Sequence, residues 1–278
     1  MATNKKAAST KKKTSQKSTS AASRVSTTTV KTVSTSTKKQ SLGQRIESTV
    51  RKASFWRALA AEFIGTFLLA SVIIAGQGQP IFVLFALVGI VLIIGGISGA
   101  HVNPAITIGA WATRRIDWIK AVGYILVQFL GAAAAFFALS AFLNAAGTSS
   151  ADQSLVGGGS PSLFAANDIS ELDGKFGFVL FAEILGTAIL AFAVAHATRL
   201  KDSLTAAWTV GTGILIALMV AVTAAGYVAA SAIINPAVAL SLQAFDSNQW
   251  TYIIYILGPI VGGVLGFVIR DLVHGKDK

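Results

Sequence analysis

Six long apolar runs divide the chain, at Phe55–Ala75, Pro80–Gly99, Trp118–Leu143, Phe176–Ala197, Leu204–Ala225 and Trp250–Val273. Each is close to the ~20 residues an α-helix needs to cross a bilayer. Two shorter apolar stretches, after Asn103 and after Asn235, cannot cross and read as re-entrant half-helices. Such backbone is tolerated at membrane depth only where protein or a water-filled cavity surrounds it. Both stretches open on Asn-Pro-Ala, at Asn103-Pro104-Ala105 and at Asn235-Pro236-Ala237. Asn is a strong N-cap because its side-chain oxygen accepts from an orphan amide. Pro at the first helical position gives up no hydrogen bond and arrives with its φ preset. The tripeptide is therefore a helix start, used twice. Residues 1–40, by contrast, are Lys, Ser, Thr and Ala without apolar periodicity. No packed core can form from them, and the pattern predicts disorder. A short interfacial helix is expected between Ser41 and Ser54.

The two half-helices belong to a duplication. The first span contains AEFIGTFLLA at Ala61–Ala70 and the fourth contains AEILGTAILA at Ala182–Ala191, identical at six of ten positions. Gln128-x-x-Gly131-Ala132 on the third span matches Pro259-x-x-Gly262-Gly263 on the sixth. With the tripeptides, three markers recur in one order. Three spans per half is an odd number, so the halves have opposite orientation. An inverted repeat of this kind places its site near the bilayer midplane, at the repeat interface. The half-helices then meet N-terminus to N-terminus, each end carrying roughly half a positive charge. Two such ends disfavour cations, while the Asn103 and Asn235 amides donate to a passing oxygen. That arrangement suits neutral solutes in single file.

Composition supports a polytopic membrane protein, with 53% hydrophobic residues, 13% charged and a mean hydropathy of +0.66. The net charge of +11 belongs to the tail: residues 1–54 hold thirteen Lys/Arg against Glu47 alone, the remainder ten against eleven acids. Arg114, Arg115, Lys120, Arg199, Lys201, Arg270, Lys276 and Lys278 fall on the same side as that tail. Asp152, Asp168, Glu171 and Asp173 fall on the other. The positive-inside rule then puts both termini in the cytoplasm of a cell-membrane protein. The basic tail is expected to brush anionic lipid headgroups, with no specific nucleic acid as partner. Without cysteine, and with three scattered histidines, no metal site or cofactor is implied. No nucleophile–base pair suggests an enzyme.

The run from Ser98 to Thr107, the second Asn-Pro-Ala, the paired AExxGT segments and Gly258-Pro259-x-x-Gly262-Gly263 resemble the aquaporin/glycerol-facilitator family, also called major intrinsic proteins. The resemblance covers about Phe55 to Val273. It implies an all-α channel domain over 55–273, in halves 55–143 and 176–273, between tails at 1–54 and 274–278. It also implies a homotetramer with one pore per subunit, passing water or small neutral solutes. The family pattern follows the second tripeptide with Arg, where this chain has Val238. By position, the other members of the family's selectivity constriction fall on Val83, on Ala232, and on Thr223 or Val220. Such a ring is wider and more apolar than a strict water filter, and lacks a fixed cation. Glycerol, urea or ammonia are expected to pass beside water, with cation exclusion left to the half-helix ends.

Glu62 and Glu183 occupy matching places on the first and fourth spans. Intramembrane carboxylates are costly and usually functional. Either they accept backbone bonds from the loops that carry the half-helices, or they relay protons in a proton-coupled carrier. Gln128 is expected to bond loop backbone near a tripeptide. His101 either packs within its loop or acts as a pH gate. A third reading is a junctional or scaffold protein with a closed pore. The recurring Gly and Ala residues on the spans signal close helix packing.

Overall fold

The computed structural model describes residues 41–146, 162–170, 172 and 174–275. The tail at 1–40, together with Asp152, Glu171, Asp173, Lys276 and Lys278, lies outside them. Helix α1 spans Leu42–Val50 and opens on a capping box, in which Ser41 N donates to Gln44 Oε1 at 2.9 Å and Gln44 N to Ser41 Oγ at 3.3 Å. The spans follow as α2 (Ala53–Ala75), α3 (Pro80–Ser98), α5 (Trp118–Ala146), α6 (Phe176–Ala197), α7 (Ser203–Gly226) and α9 (Gln249–His274). All six are long and apolar enough to cross a membrane. The half-helices are α4 (Pro104–Ala112) and α8 (Pro236–Ser241).

Local chemistry sets the boundaries. Pro80 opens α3, and Gly99, at φ 96, ends it in the left-handed region that glycine adopts without penalty. Asp202 caps α7 by accepting from Thr205 N at 2.6 Å. The same Thr205 bonds, from hydroxyl and amide, hold the Asp202 carboxyl below its ordinary range. In α9 a π-helical turn covers Ile253–Leu257, just before Pro259. Proline has no N–H for the preceding turn, and the wider turn absorbs that gap.

Burying apolar surface drives little association where the solvent is itself hydrocarbon, so helix contacts rest on close packing. A Cβ at Gly131 of α5 would meet the Phe63 carbonyl of α2, and one at Gly262 of α9 would meet the Ile184 carbonyl of α6. These are equivalent helix pairs in the two halves. Gly211 of α7 sits against Val88 and the Leu84 carbonyl of α3, joining the halves. Gly109 and Gly263 let α4 and α9 touch through backbone. On the basic face, Arg115 donates to Asp271 Oδ1 at 2.6 Å and to Thr198 Oγ1 at 2.9 Å, with its guanidinium 5.0 Å from the Phe267 ring. It thereby clasps the end of α4 to α6 and α9. On the opposite face, the segment before α6 buries Ile169 and Leu172, and Ala166 N donates to Leu242 O at 2.9 Å.

Candidate functional site

The loops that lead into the half-helices run against the ordinary conformational grain. Val102 has φ 41 and Ile234 has φ 54, both in the left-handed region. A β-branched residue there is an outlier, costing on the order of 1–3 kcal/mol. Each is held at both its backbone N–H and its carbonyl. Val102 N donates to Glu62 Oε2 at 2.7 Å, and Ile234 N donates to Glu183 Oε2 at 2.8 Å. The carbonyls are held in exchange: Asn235 Nδ2 donates to Val102 O at 3.0 Å, and Asn103 Nδ2 to Ile234 O at 2.9 Å. Space is reserved from below in the same symmetric way. Gly65 lies under Val102 and Gly186 under Ile234, where a Cβ would collide.

The carboxylates are fully buried. Glu62 also accepts from His101 N at 2.9 Å, and Glu183 from Ile233 N. The halves differ in one respect. Gln128 Nε2 adds a third bond to Glu62, at 2.8 Å, and 3.0 Å away it meets Thr107 Oγ1. Pro259, in the matching place, can donate nothing. His101 Nδ1 lies 3.2 Å from Thr107 Oγ1, and its ring sits edge-on to Tyr124. Tyr124 in turn donates to Ser98 O at 2.7 Å. Neither Thr107 nor Tyr124 stands out in the sequence. Thr107 is four residues beyond Asn103, the spacing at which a helical Thr hydroxyl reaches back to a carbonyl, here at 3.0 Å.

Both tripeptides form helix starts of the kind their residues favour. Asn103 Oδ1 accepts from Ala105 N at 2.8 Å, and Asn235 Oδ1 from Ala237 N at 3.1 Å and Val238 N at 3.4 Å. Pro104 and Pro236 occupy the first helical positions. Each Asn amide has two N–H groups. One goes to the opposite loop, and one remains for a passing molecule. Asn103, Asn235 and His101 border a narrow central cavity of about 30 Å³. Its remaining wall is apolar and includes Leu69, Leu87, Leu190, Val194 and Ile214. Among the described residues, no hydrogen bond goes to the carbonyls of Ala100, His101, Ala232 or Ile233. These loop residues border the cavities, so their carbonyls are available as acceptors.

Outside the central cavity lies a wider mouth of about 410 Å³. Val83, Ala232 and Val238 all border it. The fifth-span member is different. Thr223 and Val220 do not border the mouth, whereas Leu218 and Val222 of α7 do. The signal for them was an apolar i, i+4 stripe, Val210–Ile214–Leu218–Val222, which positional matching to the tripeptide does not use. Val238, three residues after Asn235, is 1% exposed and brings an aliphatic side chain to that place. Among the described residues no group of three or more His, Asp or Glu is placed to hold a metal ion.

Comparison with known proteins adds a lineage to this geometry. The family model described as Major intrinsic protein matches residues 49–270. The chain is 32% identical over 236 residues to glycerol uptake facilitator protein-like 6 of Lactiplantibacillus plantarum, covering 80% of this chain and 100% of that one. It is 33% identical over 190 residues to aquaporin AqpM of Methanothermobacter marburgensis, covering 65% of this chain and 70% of that one. Among solved structures, the aquaglyceroporin from Plasmodium falciparum aligns with a TM-score of 0.57, over 80% of this chain and 97% of that chain. At 20% identity that likeness shows the shared fold.

Proposed function

The chain belongs to the major intrinsic protein family, and on that premise we propose a passive membrane channel that carries water and small neutral solutes past the two Asn-Pro-Ala helix starts. One observation carries the reading: Asn103 and Asn235 exchange bonds with each other's loops, and each keeps one amide N–H beside the central cavity. The half-helix ends add positive potential at the same depth, which disfavours cations. A neutral solute that offers an oxygen loses little in passing, whereas a cation meets two helix N-termini. The carboxylates serve to hold the loops, each accepting two backbone bonds. That use favours a channel over a proton-coupled carrier.

The mouth around Val83, Ala232 and Val238 admits glycerol, urea and ammonia beside water, because it offers neither a fixed charge nor a side-chain donor fork. In the cell the channel is a multi-pass protein of the cell membrane with both termini cytoplasmic, as the basic side implies. It assembles as a homotetramer with one pore per subunit, and its basic tail meets anionic lipid. Purified protein in liposomes, followed by stopped-flow light scattering, tests the transport reading. Water and glycerol are expected to cross faster than in protein-free liposomes. Fast water with glycerol wholly excluded would overturn the wide mouth.

A further inference from the structure

Of the three histidines, scattered in the sequence, two meet in the fold. Gly262 and Gly266 lay the backbone of α9 against the Ile184 and Ala188 carbonyls of α6, a contact that a Cβ at either glycine would block. That close approach brings the basic-face ends of the two helices together. His196, in the last turn of α6, and His274, which ends α9, stand with ring centroids 5.0 Å apart and planes tilted by 45°. The Phe192 ring backs His274 at 5.9 Å. Among the described residues, three buried side-chain nitrogens have no hydrogen-bond partner: Arg115 Nε, Arg270 Nε and His196 Nδ1. An arginine Nε can only donate, whereas a neutral imidazole nitrogen can offer a lone pair. Two imidazoles that bond one ion at ~2.0–2.1 Å each stand with centroids roughly 5 Å apart at a tetrahedral angle. His274 is exposed, so the pair is open to solvent on that side.

We propose that His196 and His274 form a two-imidazole site for a transition-metal ion of the Zn2+, Ni2+ or Cu2+ kind, which braces α6 to α9 at the basic face. Water completes the coordination. Asp271, one turn before His274, is committed to Arg115 at 2.6 Å and to Arg270 at 3.4 Å, so its charge is already shared between two guanidiniums. Those guanidiniums repel a hard cation such as Mg2+ or Ca2+, which needs oxygen ligands that the pair does not supply. A metal with high affinity for imidazole nitrogen overcomes the repulsion. The carbonyl ends of α6 and α9 offset part of it, each carrying roughly half a negative charge. The brace lies apart from conduction, since neither histidine borders the central cavity or the mouth.

The test uses the full chain, purified without a histidine tag and held at constant neutral pH. Titration with Cu2+, followed by electron paramagnetic resonance, is expected to show one ion coupled to two imidazole nitrogens. His196→Gln and His274→Gln are each expected to leave one. Each is also expected to weaken binding by about ten-fold or more, because losing a ligand costs at least what losing an outer partner costs. His274→Gln alters an exposed residue and reports on the site even where His196→Gln fails to fold. Unchanged water flux in liposomes shows that a variant is intact. Zn2+ and Ni2+, at hundred-fold excess over Kd, are expected to raise the thermal midpoint of the native chain by about 5 °C. Mg2+ is expected to leave it unchanged. A single-imidazole signal in the native chain, or equal Cu2+ affinity in the native chain and His274→Gln, overturns the site. So does a midpoint raised as far by Mg2+ as by Zn2+.

Discussion

Glu183 bears on the adjacent amides of Ile233 and Ile234, so its two oxygens do the work of a missing helical turn. A glutamine there has one acceptor oxygen, and its NH2 would point at a backbone N–H. The loss of a charge-assisted bond together with a stranded buried donor amounts to about 3 kcal/mol. Glu183→Gln is therefore expected to lower the thermal midpoint in detergent substantially, while the protein that does fold keeps its passive water flux. Abolition of a flux driven by a pH gradient, with stability unchanged, would instead reveal a proton relay. The strained Val102 and Ile234 explain why both carboxylates must be in place. Without the bonds to the N–H and carbonyl of those residues, the left-handed turns have nothing to offset their cost.

At the scale of elements, backbone contact between helices does what apolar burial does in soluble proteins. Gly262 lies against the Ile184 carbonyl and the side chain of Thr187, so Gly262→Leu leaves α9 no way to reach α6. Loss of the monodisperse species in size-exclusion chromatography is the expected outcome. Gly89, in the interior of α3, has open space where its Cβ would stand. Gly89→Ala is expected to be tolerated and to stabilise by about 0.5–1 kcal/mol, read as a raised thermal midpoint. The contrast separates glycines that serve contact from glycines that do not. Element register was also where reading by position failed. The distance from Asn235 back to the fifth span includes a loop with Ala229 at φ 60, and counting across it gives Thr223 where Leu218 and Val222 border the mouth.

Over the whole molecule, charge and transport are divided along the chain. Residues 1–40 hold ten of the twenty-three Lys/Arg, and the cavity-lining residues begin at Leu69. Removing residues 1–40 is expected to leave water permeability per channel unchanged, as measured on liposomes with matched protein content. A large fall would give the tail a part in conduction. The spans, the half-helices and their duplication were legible because each depends on local rules: apolar runs of bilayer length, an Asn-Pro helix start, a repeated AExxGT. The partners of Glu62 and Glu183 were legible in kind, as loop backbone, from their symmetric placement.

What the sequence by itself determined is the architecture, since length, periodicity and capping act within a few residues of one another. What only the tertiary structure decided is the pore. Asn103 finds Ile234 across 131 residues of chain, and Asn235 finds Val102 across 133. Ile73, Val83, Leu218 and Ile233 border both the central cavity and the mouth, from three helices and a loop. Their common border is a property of the space between segments, which no local pattern encodes. Hydrogen bonds across the repeat fix the loops, and the loops border the cavity that the spans enclose.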